Sequence, residues 1–245
     1  MPILGEKERP GKTGRLFFDV SKMKPPSLMY VCWIDVMGSG SSMRRSISLA
    51  ANFVMKLHMV ALEVGSKYRT VALYPVIDGL YACATEQKAV LGFLNEVFLK
   101  LAQNFIEEKE LMFKFCIRAG LAFGPVVTGD DVKLGSDILN KNEQYCRHIL
   151  LGITLSQAYD SARDAAPFGI SLHESARAFA PPNTSVLSGT CYNWWKLVGT
   201  GKPPQPLKDA LNGYHKWCLT HTATLLYEKT RIDAHSALVD DYFTD

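Results

Sequence analysis

The chain has 245 residues, of which 47% are hydrophobic, and this is enough for one sizeable folded core. Lys and Arg number 27 against 24 Asp and Glu, and the formal charge of +3 is too small to indicate a nucleic-acid or membrane surface. No run of the roughly 18 to 20 apolar residues that cross a bilayer is evident, and the N-terminus lacks the apolar segment of a signal peptide. We therefore expect a cytoplasmic protein that binds neither nucleic acid nor membrane.

The N-terminal third of the chain predicts an arm, a strand and a helix. Residues 1–27 are rich in Lys, Pro and Gly, which is typical of a flexible arm. The expected main domain, residues 28–180, begins with an apolar run over 28–34 that predicts a strand buried on both faces. This strand ends at Asp35, and a Gly- and Ser-rich loop leads into a helix that extends to about residue 64.

The next segment predicts a hairpin, a helix and a strand. Two β-rich runs between residues 70 and 84 flank Asp78–Gly79, a strong signal for a tight turn, and Pro75 favours an edge or a bulge for the first arm. Apolar residues at helical spacing predict a helix over 86–110, and residues 112–124 are typical of a strand.

The remaining elements define the expected fold class. A helix over 152–166 and a strand over 169–172 complete the order strand, helix, hairpin, helix, strand, helix, strand. This order predicts a mixed α/β (α+β) domain with a partly antiparallel sheet, of the ferredoxin-like palm type. Residues 181–245 should complete the same domain, with a long loop over 181–213 and an element of uncertain type over 214–238.

Two carboxylates are candidate metal ligands. Asp35 ends a buried strand beside Gly38 and Ser39, whose loop can cradle phosphate, and Asp78 lies in the hairpin turn. If the two strands are neighbours, both carboxylates reach one edge of the sheet and can share Mn²⁺ or Mg²⁺ with substrate phosphates. Taken singly, Asp35 is also compatible with a helix cap and Asp78 with a turn former. The agreement between the two motifs favours the metal site.

Four segments follow one another along the chain in a recognisable order. They are Trp33–Gly38, Val76–Leu80, Arg118–Gly129 and Gly152–Ser171. Together they resemble the class III nucleotidyl cyclases, with Ile77 in place of the usual first glycine of the second segment. The resemblance implies that residues 28–180 are the catalytic, palm-like cyclase homology domain. It also implies an attack of the ribose 3′ oxygen on the α-phosphorus, with two Mn²⁺ or Mg²⁺ ions per site.

The resemblance assigns roles to individual residues. It implies metal binding by Asp35, by Asp78 and by the main-chain carbonyl of Val36. It also implies that Arg118 neutralises phosphate oxygens, which agrees with the ability of a guanidinium to pair with phosphate. The alternative for Arg118 is an ordinary surface cation.

Departures from the family pattern concern the base. Tyr74 and Ile149 stand where the similar adenylyl cyclases have the Lys and Asp that read adenine, and the groups that read guanine are missing too. An aromatic ring at Tyr74 narrows the space for a base, which favours a pyrimidine, UTP or CTP, although Tyr74 can also simply pack on the sheet. The chain thus most resembles the pyrimidine cyclases of bacterial Pycsar anti-phage systems, in which cyclic UMP or cyclic CMP activates a separate effector.

Further departures affect the transition state and the assembly. The family's Asn falls on Ser156 and its Arg on Asp160, so Arg163, two turns after Ser156 on the same face, is the candidate cation. Because the family builds its site between two cyclase domains, a homodimer with two sites is implied. Asp35, Asp78 and Arg118 would come from one subunit and Tyr74, Ile149, Ser156 and Arg163 from its mate. Two alternatives remain, namely a purine cyclase and an inactive cyclase-like domain that senses nucleotides or mediates dimerisation.

Overall fold

The structure, a computed structural model, describes residues 18–177, 187–188, 190–197 and 202–244. The chain folds as two compact units, a larger one formed by residues 27–126 and 152–245 and a smaller one formed by residues 1–26 and 127–151. The smaller unit was not expected from the sequence.

Numbered in chain order, the strands are β1 Ser27–Val36, β2 Ala72–Val76, β3 Gly79–Ala84, β4 Ile117–Thr128, β5 Leu150–Leu151, β6 Ile170–Leu172, β7 Leu187–Ser188 and β8 Cys191–Tyr192. The α-helices are α1 Ser39–Arg45, α2 Ile47–Gly65, α3 Gln87–Glu107, α4 Gly129–Val132, α5 Asp137–Asn140, α6 Glu143–Cys146, α7 Ile153–Ala162, α8 Glu174–Arg177, α9 Gln205–Thr220, α10 Thr222–Leu225 and α11 Lys229–Tyr242. Short 3-10 helices cover Val20–Lys22, Leu111–Phe113, Lys133–Gly135 and Trp194–Leu197.

The sheet of the larger unit has the strand order β2-β3-β1-β4-β6-β8-β7. The β4–β6 pair is parallel and the other pairs in this order are antiparallel. This arrangement confirms the predicted α+β palm with a partly antiparallel sheet. Pro75 lies in β2, the edge strand, where its missing amide hydrogen is tolerated.

Helices cover both faces of strand β1. Its side chains alternate, so that Cys32 and Ile34 join the apolar core formed with α2 and α3, while Trp33 packs its ring 5.6 Å from the ring of Tyr159 in α7. Burial of each large core side chain contributes roughly 1.5 to 3 kcal/mol to folding. Gly120, opposite Trp33 on β4, allows α7 to lie directly on the sheet, because a Cβ there would collide with the Ala158 carbonyl.

Two helices in the described residues have the length and apolar composition of membrane spans, which the sequence analysis did not recognise. They are α2 and α3, with mean hydropathies of 1.4 and 1.2. Both place an apolar face in the core, with Leu57 and Val64 of α2 and Phe93 and Phe98 of α3 completely buried. Core helices of globular domains commonly have this composition, so the finding is weak support for a membrane span.

The C-terminal segment is more regular than expected. The predicted loop over 181–213 contains β7, β8 and the start of α9 at Gln205, although residues 181–186, 189 and 198–201 lie outside the described residues. The Pro-rich sequence before Gln205 misled the prediction, since Pro is tolerated in the first helical turn. Leu207, Leu211 and Phe243 join the same core as α3, so this segment belongs to the larger unit.

The smaller unit combines an N-terminal segment with residues 127–151, which end at β5. Within it, the end of β4 pairs with β5, and the amide of Gly129 donates to the carbonyl of Ile149 over 3.1 Å. The amide of Asp19 donates to Gly135 over 2.9 Å, so part of the predicted 1–27 arm is attached. Residues 1–17 lie outside the described residues.

Candidate active site

Asp35 lies at the end of β1, between two strands that present it with partners. It is opposite Gly79 of β3 and opposite Arg118 of β4. Residues paired across neighbouring strands project to the same face, so the Asp35 carboxylate and the Arg118 guanidinium meet. The Nε of Arg118 donates to Oδ1 of Asp35 over 3.1 Å, and Nη2 lies 3.4 Å from Oδ2. The two side chains are only 12% and 18% exposed, so the pair is partly shielded from water.

Asp78 reaches the same corner from the hairpin between β2 and β3. The two turn residues are Ile77 and Asp78, and not the predicted Asp78 and Gly79, because Gly79 is already the first residue of β3. A side chain at Gly79 would collide with the Ile34 carbonyl, so the glycine lets the hairpin approach β1 closely. The hydroxyl of Ser39 donates a hydrogen bond to Oδ2 of Asp78.

The electrostatics of this corner favour a bound cation. Burial raises the pKa of the Asp35 carboxyl, the Arg118 guanidinium lowers it, and the nearby Asp78 carboxylate raises it again. The net effect is an increase, because burial, the largest contribution, and the Asp78 charge together outweigh the Arg118 guanidinium. A divalent cation between the two carboxylates would supply further positive charge.

The available donors fit magnesium or manganese. Among the described residues no group of three or more His, Cys, Asp or Glu side chains comes together, so the corner offers two carboxylates. Mg²⁺ is commonly held by one or two carboxylates together with waters and substrate phosphates. The carbonyl of Val36, the last residue of β1, is the predicted additional donor.

The loop after β1 depends on a glycine. Gly38 has a φ of +73°, in the left-handed region where a side chain is unfavourable. This conformation turns the chain into α1 and leaves Ser39 buried beside Asp78. The assignment of Gly38 and Ser39 to substrate phosphates stays a prediction, whereas the bond from Ser39 to Asp78 was missed by the sequence analysis. The feature of the sequence that could have predicted this bond is the closeness of Ser39 to the end of β1.

The remaining predicted residues are spread over several elements. Tyr74 is half-buried on β2, opposite Tyr81. Ile149 belongs to the smaller unit, and Ser156 is exposed on α7. Arg163 ends α7, and its carbonyl accepts a hydrogen bond from Nη1 of Arg118 over 3.3 Å.

The guanidinium of Arg163 has a local partner. It lies 3.9 Å from the Asp160 carboxylate, and both side chains are 67% exposed. Within one chain, therefore, Asp35, Arg118, Asp78 and Ser39 form the corner, and the side chain of Arg163 is directed elsewhere. The supposed transition-state roles of Ser156 and Arg163 stay predictions.

Comparisons with known proteins identify the fold. No family model matches the chain, and no curated protein matches it. A solved bacterial light-regulated adenylyl cyclase is 13% identical, with a TM-score of 0.53 over 66% of this chain and 48% of that one. An adenylate/guanylate cyclase/hydrolase from Silicibacter pomeroyi is 16% identical, with a TM-score of 0.50 over 65% of this chain and 83% of that one. The guanylyl cyclase domain of the RhoGC fusion protein from the aquatic fungus Blastocladiella emersonii is 18% identical, with a TM-score of 0.49 over 64% and 85%.

The first two similarities show that the chain has the fold of cyclase homology domains over about two thirds of its length. At this level of identity, the similarity concerns the fold alone. A fold does not by itself imply a reaction, so the chemistry depends on the side chains of Asp35, Asp78 and Arg118.

Proposed function

We propose that this protein is a nucleotide cyclase that converts UTP or CTP to the 3′,5′-cyclic nucleotide and pyrophosphate. The observation that carries the proposal is the convergence of Asp35 and Asp78 beside Arg118, at one edge of a sheet with the cyclase fold. In an inactive relative, nothing would favour two acidic side chains at such a partly buried place, because burying charge costs free energy.

The proposed reaction uses each of these groups. The ribose 3′ oxygen attacks the α-phosphorus, and the bond from that phosphorus to the pyrophosphate oxygen breaks while the 3′ proton passes to solvent. Mn²⁺ or Mg²⁺ held by Asp35, Asp78 and the Val36 carbonyl would lower the pKa of the 3′ hydroxyl and neutralise phosphate charge. Arg118 pairs with phosphate oxygens, and Gly38 and Ser39 bind the phosphate chain.

The choice of a pyrimidine depends on Tyr74 and Ile149. Neither side chain offers the charged or amide groups that read a purine edge, and the Tyr74 ring reduces the space for a two-ring base. Tyr74 lies on the hairpin that also carries Asp78, so in the proposed homodimer one hairpin supplies a metal ligand to one site and a base contact to the site of the mate. The runner-up substrate is a purine triphosphate with unusual base contacts.

We further propose a homodimer with two equivalent sites. The exposed position of Ser156 on α7, and the exposed Arg163 at its end, suit contacts made with a second subunit. In this arrangement Tyr74, Ile149, Ser156 and Arg163 complete the site of the mate. The cyclic product would act in the cytoplasm on a separate effector, as in the anti-phage systems that the sequence resembles.

One experiment separates these alternatives. The purified chain is incubated with Mn²⁺ and each of the four ribonucleoside triphosphates, and the products are identified by mass spectrometry. Cyclic UMP or cyclic CMP supports the proposal, whereas cyclic AMP or cyclic GMP as the main product identifies a purine cyclase. Binding of a nucleotide without any product identifies an inactive nucleotide-sensing domain.

A further inference from the structure

A cavity lies between the loop that follows β1 and the C-terminal helices α9, α10 and α11. It has a volume of about 80 Å³ and is bounded by Gly38 and α1 on one side and by α9, α10 and α11 on the other. Room for one water requires roughly 10 to 15 Å³, and an apolar cavity of roughly 150 Å³ holds a benzene molecule. The cavity therefore admits part of one ring, with the rest of a ligand at its open rim.

The lining of the cavity is positively charged. Four cations contribute to it, namely Arg45, Lys114, Arg118 and Arg231, and among the described residues no acidic side chain lines it. Arg118 is neutralised by Asp35, and the Nζ of Lys114 donates to the Phe105 carbonyl. Of the three cations without an acidic partner in the described part of the chain, two, Arg45 and Arg231, also lack a side-chain hydrogen bond to an oxygen.

These two cations are placed on opposite walls. Arg45 ends α1, and its Nη2 lies 3.1 Å from the neutral sulfur of Met112. Arg231 lies in the first turn of α11 and makes no ion pair with any described residue. Positive charge at the rim also affects His235, because burial together with Arg231, His215 and Arg118 lowers its pKa to about 4 and keeps it neutral near pH 7.

The floor of the cavity is apolar. It includes Phe53, Phe115 and Leu225, with Met112 and Pro167 beside them. An inorganic anion pairs with the arginines but gains nothing from this floor, and an uncharged ring buries apolar surface on the floor but forms no ion pair with the arginines. A ligand that gains from both the arginines and the apolar floor has a ring and an anionic group.

We propose that this cavity binds a small organic anion composed of one apolar ring and one carboxylate, with the carboxylate between Arg45 and Arg231. The ring lies against Phe53, Phe115 and Leu225. Arg118 lines the cavity and also pairs with Asp35, so a ligand in the cavity lies next to this ion pair. The binding itself is independent of the proposed cyclase activity.

The test uses the full chain without nucleotide, with benzoate as the probe and benzyl alcohol as its uncharged match. Ligand-observed NMR titration should give saturable benzoate binding with a Kd on the order of 1 mM, which suits nine non-hydrogen atoms. Arg45→Gln and Arg231→Gln should each weaken this binding by about tenfold, the effect expected when one charged hydrogen bond is lost. Benzyl alcohol should bind at least about tenfold more weakly than benzoate.

Lys229→Gln is the matched control, because Lys229 is an exposed cation on the same helix that does not line the cavity. It should leave benzoate binding within about twofold. An equal loss in this control would overturn the proposal in favour of unspecific attraction to a basic surface. Binding of pyrophosphate but not benzoate, lost in Arg231→Gln, would assign the cavity to the phosphate end of the nucleotide. Absence of binding by both probes would show that the cavity is only a packing void.

Discussion

The two carboxylates of the candidate site are held in different ways. Asp35 belongs to a central strand with hydrogen-bonded neighbours on both sides, and its carboxylate forms an ion pair with Arg118. Asp78 lies in a hairpin turn, next to the edge strand, and is held by the hydroxyl of Ser39. The position of Asp35 thus depends on the whole sheet, whereas that of Asp78 depends on a local turn and one side chain.

The turn before Asp78 also carries strain. Ile77 has a φ of +51°, a left-handed conformation that is unfavourable for a β-branched residue, and it is 87% exposed. Gly38, in the loop after Asp35, adopts the same region of φ without a side chain. Two carboxylates proposed to bind the same metal therefore need not have equivalent structural support, and mutations should separate the two properties.

The largest expected effect is on turnover. Asp35→Ala and Asp78→Ala should each reduce product formation by more than about 1,000-fold, because each removes a metal ligand from the reacting phosphates. Product formation is measured by mass spectrometry under saturating Mn²⁺, with Asp233→Ala, an exposed acid on α11, as the control. Substantial activity in either variant would remove that residue from the metal site.

Ser39 should act through Asp78. Ser39→Ala removes a hydroxyl that donates to the Asp78 carboxylate, and loss of such a supporting hydrogen bond typically weakens metal binding by about 10- to 100-fold. We expect the Mn²⁺ concentration for half-maximal activity to rise by this factor, while turnover at saturating Mn²⁺ changes less. Ser41→Ala, which alters a neighbouring hydroxyl of the same helix, serves as the comparison. An unchanged Mn²⁺ requirement in Ser39→Ala would show that the hairpin positions Asp78 by itself.

Tyr74 tests whether the hairpin also contributes to base selection. Tyr74→Ala should weaken the preference for pyrimidines over purines by about 1 to 3 kcal/mol, or roughly 5- to 150-fold in the ratio of kcat/KM values. Tyr74→Phe keeps the ring and should keep the preference. If Tyr74→Ala loses all activity without any gain in purine turnover, the ring supports the sheet or orients the substrate, and selection lies elsewhere.

The free energy of unfolding should distinguish Asp35 from Asp78, although turnover is expected to fall in both alanine variants. Asp35→Ala leaves the partly buried Arg118 without its carboxylate and should lower the free energy of unfolding by about 2 kcal/mol. Asp78→Ala leaves the buried Ser39 hydroxyl without its acceptor and should lower it by about 1 kcal/mol. Urea unfolding followed by circular dichroism gives both values. Equal losses would contradict the difference in structural support.

The smallest effect concerns the strained turn. Ile77→Gly should raise the free energy of unfolding by about 1 kcal/mol, since glycine adopts a φ of +51° without steric cost and an exposed Ile77 side chain contributes little packing. Ile77→Ala keeps a Cβ and should recover less. A loss of stability in Ile77→Gly would show that the left-handed conformation is not costly here.

Local sequence patterns were sufficient for much of the larger unit. Alternating and continuous apolar runs predicted β1, the β2–β3 hairpin and α3, because each period corresponds to a face that must be buried. These predictions failed where a local sequence signal is compatible with two structures. The Pro-rich segment before Gln205 was taken for a loop although it starts α9, and the strand expected from residue 112 begins at Ile117 after a 3-10 turn.

By itself, the sequence determined which side chains bring charge to the strand ends, since Asp35, Asp78 and Arg118 each follow or lie within a strongly patterned strand or turn. Only the tertiary structure decided which of these residues lie opposite one another. The register of β1 with β4 places Arg118 opposite Asp35, and the fold of α1 brings the Ser39 hydroxyl to Asp78. The cavity behind the corner likewise exists only because α9 to α11 return to β4 and α1. Such contacts join residues far apart in the chain, and local periodicity carries no information about them because they follow from the packing of whole elements.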